Sequence, residues 1–491
     1  MAEPSKKKDS PEPEQAAAES PPDPLKTAVP QFHGRIDGLR ELLEIISPHV
    51  AALDISEGGG FERLIDEGGF SDSGIAVMKE IFGGRSDLDS DPADGDERQE
   101  QRLTPEQSLA FGEVVTSERA AFQGFLRRMV RGAMAPREDL LNSSLLTLAV
   151  ATFENLLALL VTEHLRRFPG MLESEEKAFS LSDLQDLGSI EDARTILIER
   201  RVDSFMRKGL DDWSRWTEQT LGASFSDLCI DLDAVREIFQ RRHLIVHAGG
   251  IVNRMYLERA PLEGDPPQLG TQLSVSGEYV TRALDEFEVL GDLLLFTAWT
   301  KWTDGDDRQV AHGEFEERIL ELMASHRWEI VRRLCGRGSE LRLPASGELV
   351  FLVNQWIAVR RLGEFDGDHR KAVEGWDTSA LALPFVLAKA ILLDEDERAF
   401  ELLELALMSE EIDLRAAETW PLFEELRKDP RFLKILAAAK KKKSATKTKS
   451  RKRSTAKKTK SKSSSKRNSV PAAGRRKTKP PASRRAKTKK S

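Results

Sequence analysis

Residues 239–253, FQRRHLIVHAGGIVN, set two arginines and two histidines around the aliphatic run Leu244, Ile245 and Val246. An imidazole titrates near neutrality, so a histidine can take or give a proton at ordinary pH. A guanidinium offers fixed, bidentate donors to an anion such as a phosphate. Such groups beside buried aliphatics are costly unless something pairs or uses them. The stretch therefore reads either as a capped core helix with a decorated edge or as a site that moves a proton beside a bound anion.

Its local geometry limits the second reading. Asp231 or Asp233 can cap a helix over the stretch AVREIFQRRHLIVHA, and Gly249-Gly250 can stop it. On that helix His243 and His247 are four apart and stack on one face. Arg242 and His247 are five apart, about 140° around the axis and about 7.5 Å along it. One helix cannot aim both at a single point, whereas a second copy from a symmetry mate can supply the missing group. A metal pair is disfavoured, because the zinc-protease pattern needs Glu after the first His and this chain has Leu244. No metal and no cofactor are expected.

Three further residues have candidate supporting roles. Glu154 lies in an apolar helix, where a carboxylate needs a partner; Arg242 or Arg241 can provide it, unless Glu154 sits on the helix's exposed edge. Asn253 can support the turn after the motif, or is a plain loop residue. Trp213, Trp216, Trp299 and Trp302 can stack bases, but at three-residue spacing they suit a core or a subunit interface.

These residues belong to a chain of 491 residues, long enough for two or three domains. Cys229 and Cys335 stand 106 positions apart without a CxxC motif, which argues against a disulfide framework and suits a reducing compartment. The N-terminus has no apolar run, so no secretory signal is read there. Residues 145–161 are the most hydrophobic stretch, but Thr147, Thr152, Glu154 and Asn155 mark it as a buried helix rather than a membrane span. The expected location is cytoplasmic.

The net charge of −8 hides a strong polarity. Of 74 Lys and Arg, 24 lie between Lys440 and Ser491, a segment without Asp or Glu. The remaining 50 face 82 acidic residues, so the body carries −32. An acidic body with a basic tail predicts salt-sensitive, sequence-independent nucleic-acid binding through residues 440–491. The competing expectation is a tail that folds back onto the acidic body.

Residues 1–30, rich in Pro, Glu, Ser and Ala, and the Lys/Arg-rich tail 439–491 are expected to be disordered. Residues 31–135 read as a helical N-terminal region with an acidic linker at 85–103; Thr104, Pro105 and Glu106 mark a helix start. Residues 140–303 read as one helical domain, its first helix capped by Asn142 or Ser143 and running to about Arg167. Residues 314–438 hold shorter paired helices, a degenerate tetratricopeptide-like region that suits a protein partner. Sustained strand alternation is missing throughout, so the class is all-α and the architecture a helical bundle.

RRHLIVH followed by GGIVN resembles the signature of HEPN domains: Arg, a polar residue, three more positions, then His. Arg242, His243 and His247 fall on those positions, with His243 where Asn is commonest. Upstream, LAVATFENLLALLVTEHL is similar to the opening long helix of one bacterial branch, and ARTILIERRVDSFMRKGLDDWSRWTEQTLG to its middle helices. The likeness covers residues 140–300, about a third of the chain. It implies a HEPN-like bundle that pairs as a homodimer and a metal-independent endoribonuclease acting on RNA, in stress response or phage defence. By that resemblance His247 is the general acid or base, Arg242 steadies the phosphate and His243 orients or assists. Gly249 stands where some members carry a tyrosine and are switched off by nucleotide addition to it, so that control is not expected here. The family also holds silent members, which leaves two alternatives: a non-catalytic dimeric adaptor tethered to nucleic acid by the tail, and a nucleotide-binding regulator using Arg242 on a phosphate.

Overall fold

The computed structural model describes residues 23–51, 60–82, 103–134, 136–172, 189–228, 231–262, 264–337 and 343–442. Among them the chain is all-α, as the sequence predicts; the lone extended pairing is an antiparallel bridge between Ile251 and Gln272. Two compact units divide at His369 and Arg370.

The first unit is organised on three long helices: α1 (Pro24–Ala51), α6 (Arg137–Arg167) and α12 (Gly277–Trp302). Each packs on the other two. α1 begins at Pro24, inside the segment 1–30 expected to be disordered; residues 1–22 of that segment lie outside the described residues. Its Leu25, Phe32 and Ile36 are fully or almost fully buried, each contributing about 1.5–3 kcal/mol of apolar burial. Gly291 of α12 permits the close approach, since a Cβ there would lie 2.3 Å from Phe32 Cζ. α1 therefore belongs to the bundle and not to a separate N-terminal region.

α6 starts behind Pro136, not at Asn142 or Ser143. Proline fixes the entry, and Glu138 and Asp139 favour the positive end of the helix dipole. Asn142 is instead buried and donates Nδ2 to the Val275 carbonyl at 3.0 Å, while Asp139 accepts from Val275 N at 2.7 Å. α6 is long and apolar enough to cross a membrane, but 56% of its apolar window is buried inside the bundle. That burial is the work of a core helix.

Between α6 and α12 come α7 (Ile190–Met206), α8 (Leu210–Leu221), the single turn α9 (Phe225–Leu228), α10 (Leu232–Ala248) and α11 (Arg254–Arg259). α7 and α10 pack on α6; α8, α9 and α10 pack on α12. After α12 follow α13 (Gly305–Ala324), α14 (Trp328–Cys335) and α15 (Ala345–Arg361). α13 and α14 pack on α12, and α15 on α14. Residues 314–369 thus join the first unit instead of a separate repeat region.

A buried ionic network joins α1, α12, α13 and the start of α14. Asp292, fully buried, lies 2.5 Å from His33 Nε2. Glu288, also fully buried, accepts from Arg318 at 2.6 Å, Arg40 at 2.7 Å and Arg327 at 2.6 Å. A buried carboxylate needs such partners to stay charged. Burial alone raises the Asp292 carboxyl, but His33 and Arg318 outweigh it and hold it below the usual carboxylate range.

Earlier in the chain, α2 (Gly60–Asp66), α3 (Asp72–Phe82), α4 (Pro105–Ser117) and α5 (Arg119–Met134) enclose an aromatic cluster around Phe70 and Phe125. Thr104 and Gln107 form a reciprocal cap on α4, at the start read from the sequence. The expected linker 85–103 lies outside the described residues except for Leu103.

In the second unit α17 (Leu383–Leu392) and α18 (Asp396–Met408) pair, following α16 (Gly367–Gly375), which spans the division. After α19 (Leu414–Thr419), two 3₁₀ turns at Pro421–Phe423 and Leu426–Lys428 bury Leu422, Phe423 and Leu426. Residues 430–442 are helical up to the last described position. Residues 443–491, nearly all of the basic tail, lie outside the described residues.

Candidate functional site

α10 carries the motif. Asp231 is its cap, accepting from Ala234 N at 2.7 Å, and Gly249 ends it in the left-handed conformation with φ +60°. Gly250 follows at φ +79°, and its N–H reaches back to the Leu244 carbonyl at 3.2 Å. Two successive left-handed residues favour glycine. The reversal lets Ile251 meet Gln272, and Asn253 then caps α11 by accepting from Tyr256 N at 2.9 Å. Asn253 therefore acts on the backbone of the turn.

Leu244 is buried, while His243, Val246 and His247 are turned outward. His243 and His247 are exposed, their ring centroids 4.5 Å apart and their planes inclined at 47°. Partial burial holds the His243 imidazole below the ordinary histidine range, helped by His247, Arg242 and Arg259. Two neighbouring imidazoles place a ring N–H donor and a ring-nitrogen acceptor side by side on one helix face. That is the distribution an acid–base pair needs.

Arg242 points the other way, toward α6, where its guanidinium donates to the Glu154 carboxylate. Of the two partners considered for Glu154, Arg242 is the one found. Burial raises the Glu154 carboxyl above its ordinary value more than Arg242 lowers it. Arg242 and His247 do not converge within one chain, as the helical spacing requires.

Arg241 is engaged elsewhere. It donates to Glu237 at 2.8 Å and to the Ser274 carbonyl at 3.1 Å, and its guanidinium lies 4.0 Å from the centre of the Tyr279 ring. Tyr256 and Tyr279, the chain's two tyrosines, both donate to Glu237. Burial first, then Glu237, pushes both phenols upward, so they remain protonated donors. Glu237 and Arg241 stand at helical i,i+4 spacing, a signal present in the sequence, but the tyrosines arrive from α11 and α12 and leave none. This buttress beside a cavity of about 610 Å³ fixes the α10 face opposite the histidines.

Around the histidines the surface is apolar and open: Val246, Ile251 and Met255 are 51%, 42% and 47% exposed. Trp213 and Trp299 are buried, and Trp216 and Trp302 flank His164, away from the motif. Among the described residues no cluster of three His, Cys, Asp or Glu is placed to hold a metal ion.

The chain matches no family model, and neither a curated protein nor a solved structure shows significant similarity to it.

Proposed function

We propose that the protein is a metal-independent endoribonuclease of HEPN type, acting on RNA as a homodimer in the cytoplasm, with a role in stress response or phage defence. The observation that carries this reading is the exposed, adjacent His243–His247 pair on a helix whose Arg242 is held by Glu154. In the reaction an imidazole accepts the proton of the ribose 2′-OH, the 2′ oxygen attacks phosphorus, and the 5′ oxygen leaves with a proton. The products are a 2′,3′-cyclic phosphate and a 5′-OH. His247 is the general acid or base, His243 assists, and Arg242 steadies the charge on the phosphoryl oxygens. Since Arg242 and His247 diverge on one helix, the partner's copy completes the site, and the exposed Val246, Ile251 and Met255 suit that pairing. The basic tail captures RNA that the acidic body repels.

The test is cleavage of mixed RNAs in EDTA by wild type and His247→Ala. Cleavage by wild type, with cyclic-phosphate ends, lost in the variant, supports the enzyme. Equal cleavage by both, or none by either, rejects it.

One observation favours a second reading, a non-catalytic adaptor: the Arg242 guanidinium already has a carboxylate partner. In that reading the apolar face dimerises the bundle, the second unit binds a protein, and the tail tethers the assembly to nucleic acid.

A further inference from the structure

A separate cavity of about 370 Å³ lies in the groove between α1 and α13, and none of its lining comes from α10. Lys26, Pro30, His33 and Asp37 reach it from one stripe of α1, at helical spacing. Glu314, Glu317 and Glu321 reach it from one stripe of α13. The second and third of these stand about 4.5 and 10.5 Å beyond the first along the helix axis. Arg318 also lines the groove, but its charge is committed to the buried Glu288 and Asp292 and to Glu321. Asp37, Glu314 and Glu317 make no hydrogen bond or ion pair among the described residues.

His33 points to a ligand independently of those carboxylates. It is only 8% exposed, and its Nε2 is taken by Asp292 at 2.5 Å. Its Nδ1 has no hydrogen-bond partner among the described residues and is not walled off, so the ring opens onto the cavity through that atom. With Nε2–H directed at the Asp292 carboxylate, the neutral ring offers Nδ1 as an acceptor. Pro30 adds another acceptor: it has no N–H, so the Lys26 carbonyl one turn earlier lacks its helical donor. Against these acceptors stands the Lys26 ammonium. The groove therefore calls for a ligand rich in N–H donors and positive charge. Among the described residues no three His, Cys, Asp or Glu converge on one ion, so the charge must be spread along the groove.

We propose that this groove binds a linear polyamine, its ammonium groups on Glu314, Glu317 and Asp37 and one N–H donated to His33 Nδ1. The carboxylate pitch on α13 is of the order set by the short methylene links of such a chain. Those methylenes lie against Val29 and the Pro30 ring. The site goes beyond the nuclease reading: it shares no residue with the α10 motif, and its occupancy is independent of RNA cleavage.

The experiment is calorimetric titration of the full-length protein, freed of nucleic acid, with spermidine, and with magnesium chloride and butylamine as controls. Spermidine binds saturably at sub-millimolar concentration, whereas the divalent ion and the single ammonium bind more weakly. Glu314→Gln combined with Glu317→Gln weakens spermidine binding roughly tenfold or more, the loss expected when charge-assisted contacts are removed. The body carries −32, so a charge-matched control is needed. Glu401→Gln combined with Glu404→Gln, two exposed positions on α18, binds as wild type. The proposal is overturned by the absence of saturable spermidine binding, by magnesium binding as tightly, by wild-type affinity in the α13 variant, or by an equal loss in the α18 variant. RNA cleavage without spermidine binding sinks only this site, and spermidine binding without cleavage sinks only the nuclease reading.

Discussion

The Arg242 guanidinium of α10 donates to the Glu154 carboxylate of α6, tying the motif to a helix 88 positions earlier in the chain. The pair is about three-quarters buried on each side. Burial pushes the Glu154 carboxyl above its ordinary value of 4.5 despite the arginine. The folded state thus keeps that proton to higher pH than the unfolded chain does. Stability from this group is fully present below about 4.5 and declines as pH rises through the folded value. Melting temperatures of wild type and Glu154→Gln across acid to neutral pH should therefore diverge in favour of wild type on the acid side; a constant difference rejects the assignment.

Asp292 has the opposite sign. His33 and Arg318 outweigh burial and hold its carboxyl below 3.8, so its contribution is present above that value and is lost as pH falls through the lower, folded one. Asp292→Asn leaves His33 and Arg318 facing each other in a buried site, and the expected cost is about 3 kcal/mol. Urea titration at neutral pH measures it. A loss within experimental error of zero would show that the His33–Asp292 pair adds nothing to the hold on α1.

At the three-helix crossing the constraint is steric. Gly291→Ala sets a Cβ 2.3 Å from Phe32 Cζ and 3.1 Å from a Leu156 methyl, and Phe32 is buried without room to swing out. Overpacking of this kind costs about 1–3 kcal/mol. Pairing it with Phe32→Leu should recover part of the loss, and simple additivity of the two changes would contradict the contact.

What the sequence revealed follows from how local each signal is. The caps at Thr104 and at Asp231, one of the two aspartates the sequence offers, and the glycine stop after Ala248 depend on neighbours within one turn. Glu154 and Arg242 each announced a need for a partner, and each is the other's. Proline can open a helix, and that rule was outweighed where Asn142 and Ser143 resembled caps; α6 begins behind Pro136 because Asn142 serves a contact 133 positions away. Likewise α1 starts inside a polar, proline-containing stretch because Leu25, Phe32 and Ile36 find partners on α6 and α12. The Glu237–Tyr256–Tyr279 buttress and the Glu288 arginine cluster join three elements each. No window along the chain displays them.

The basic tail permits a prediction that separates charge from fold. Its 24 Lys and Arg adjoin a body of net −32, and the proposed capture of RNA rests on the tail's charge. Binding through such cations releases counterions, and its logarithm falls with the logarithm of salt by about 0.7 per phosphate contacted on single strands. Removing residues 440–491 should weaken RNA binding at low salt by an order of magnitude or more, and flatten that slope toward zero, while the thermal unfolding of the bundle stays as it was. The two effects must appear together, because weaker binding with an unchanged slope means that contacts on the body set the affinity. A truncated chain that binds RNA as the whole chain does, at every ionic strength, removes the tail from RNA capture altogether.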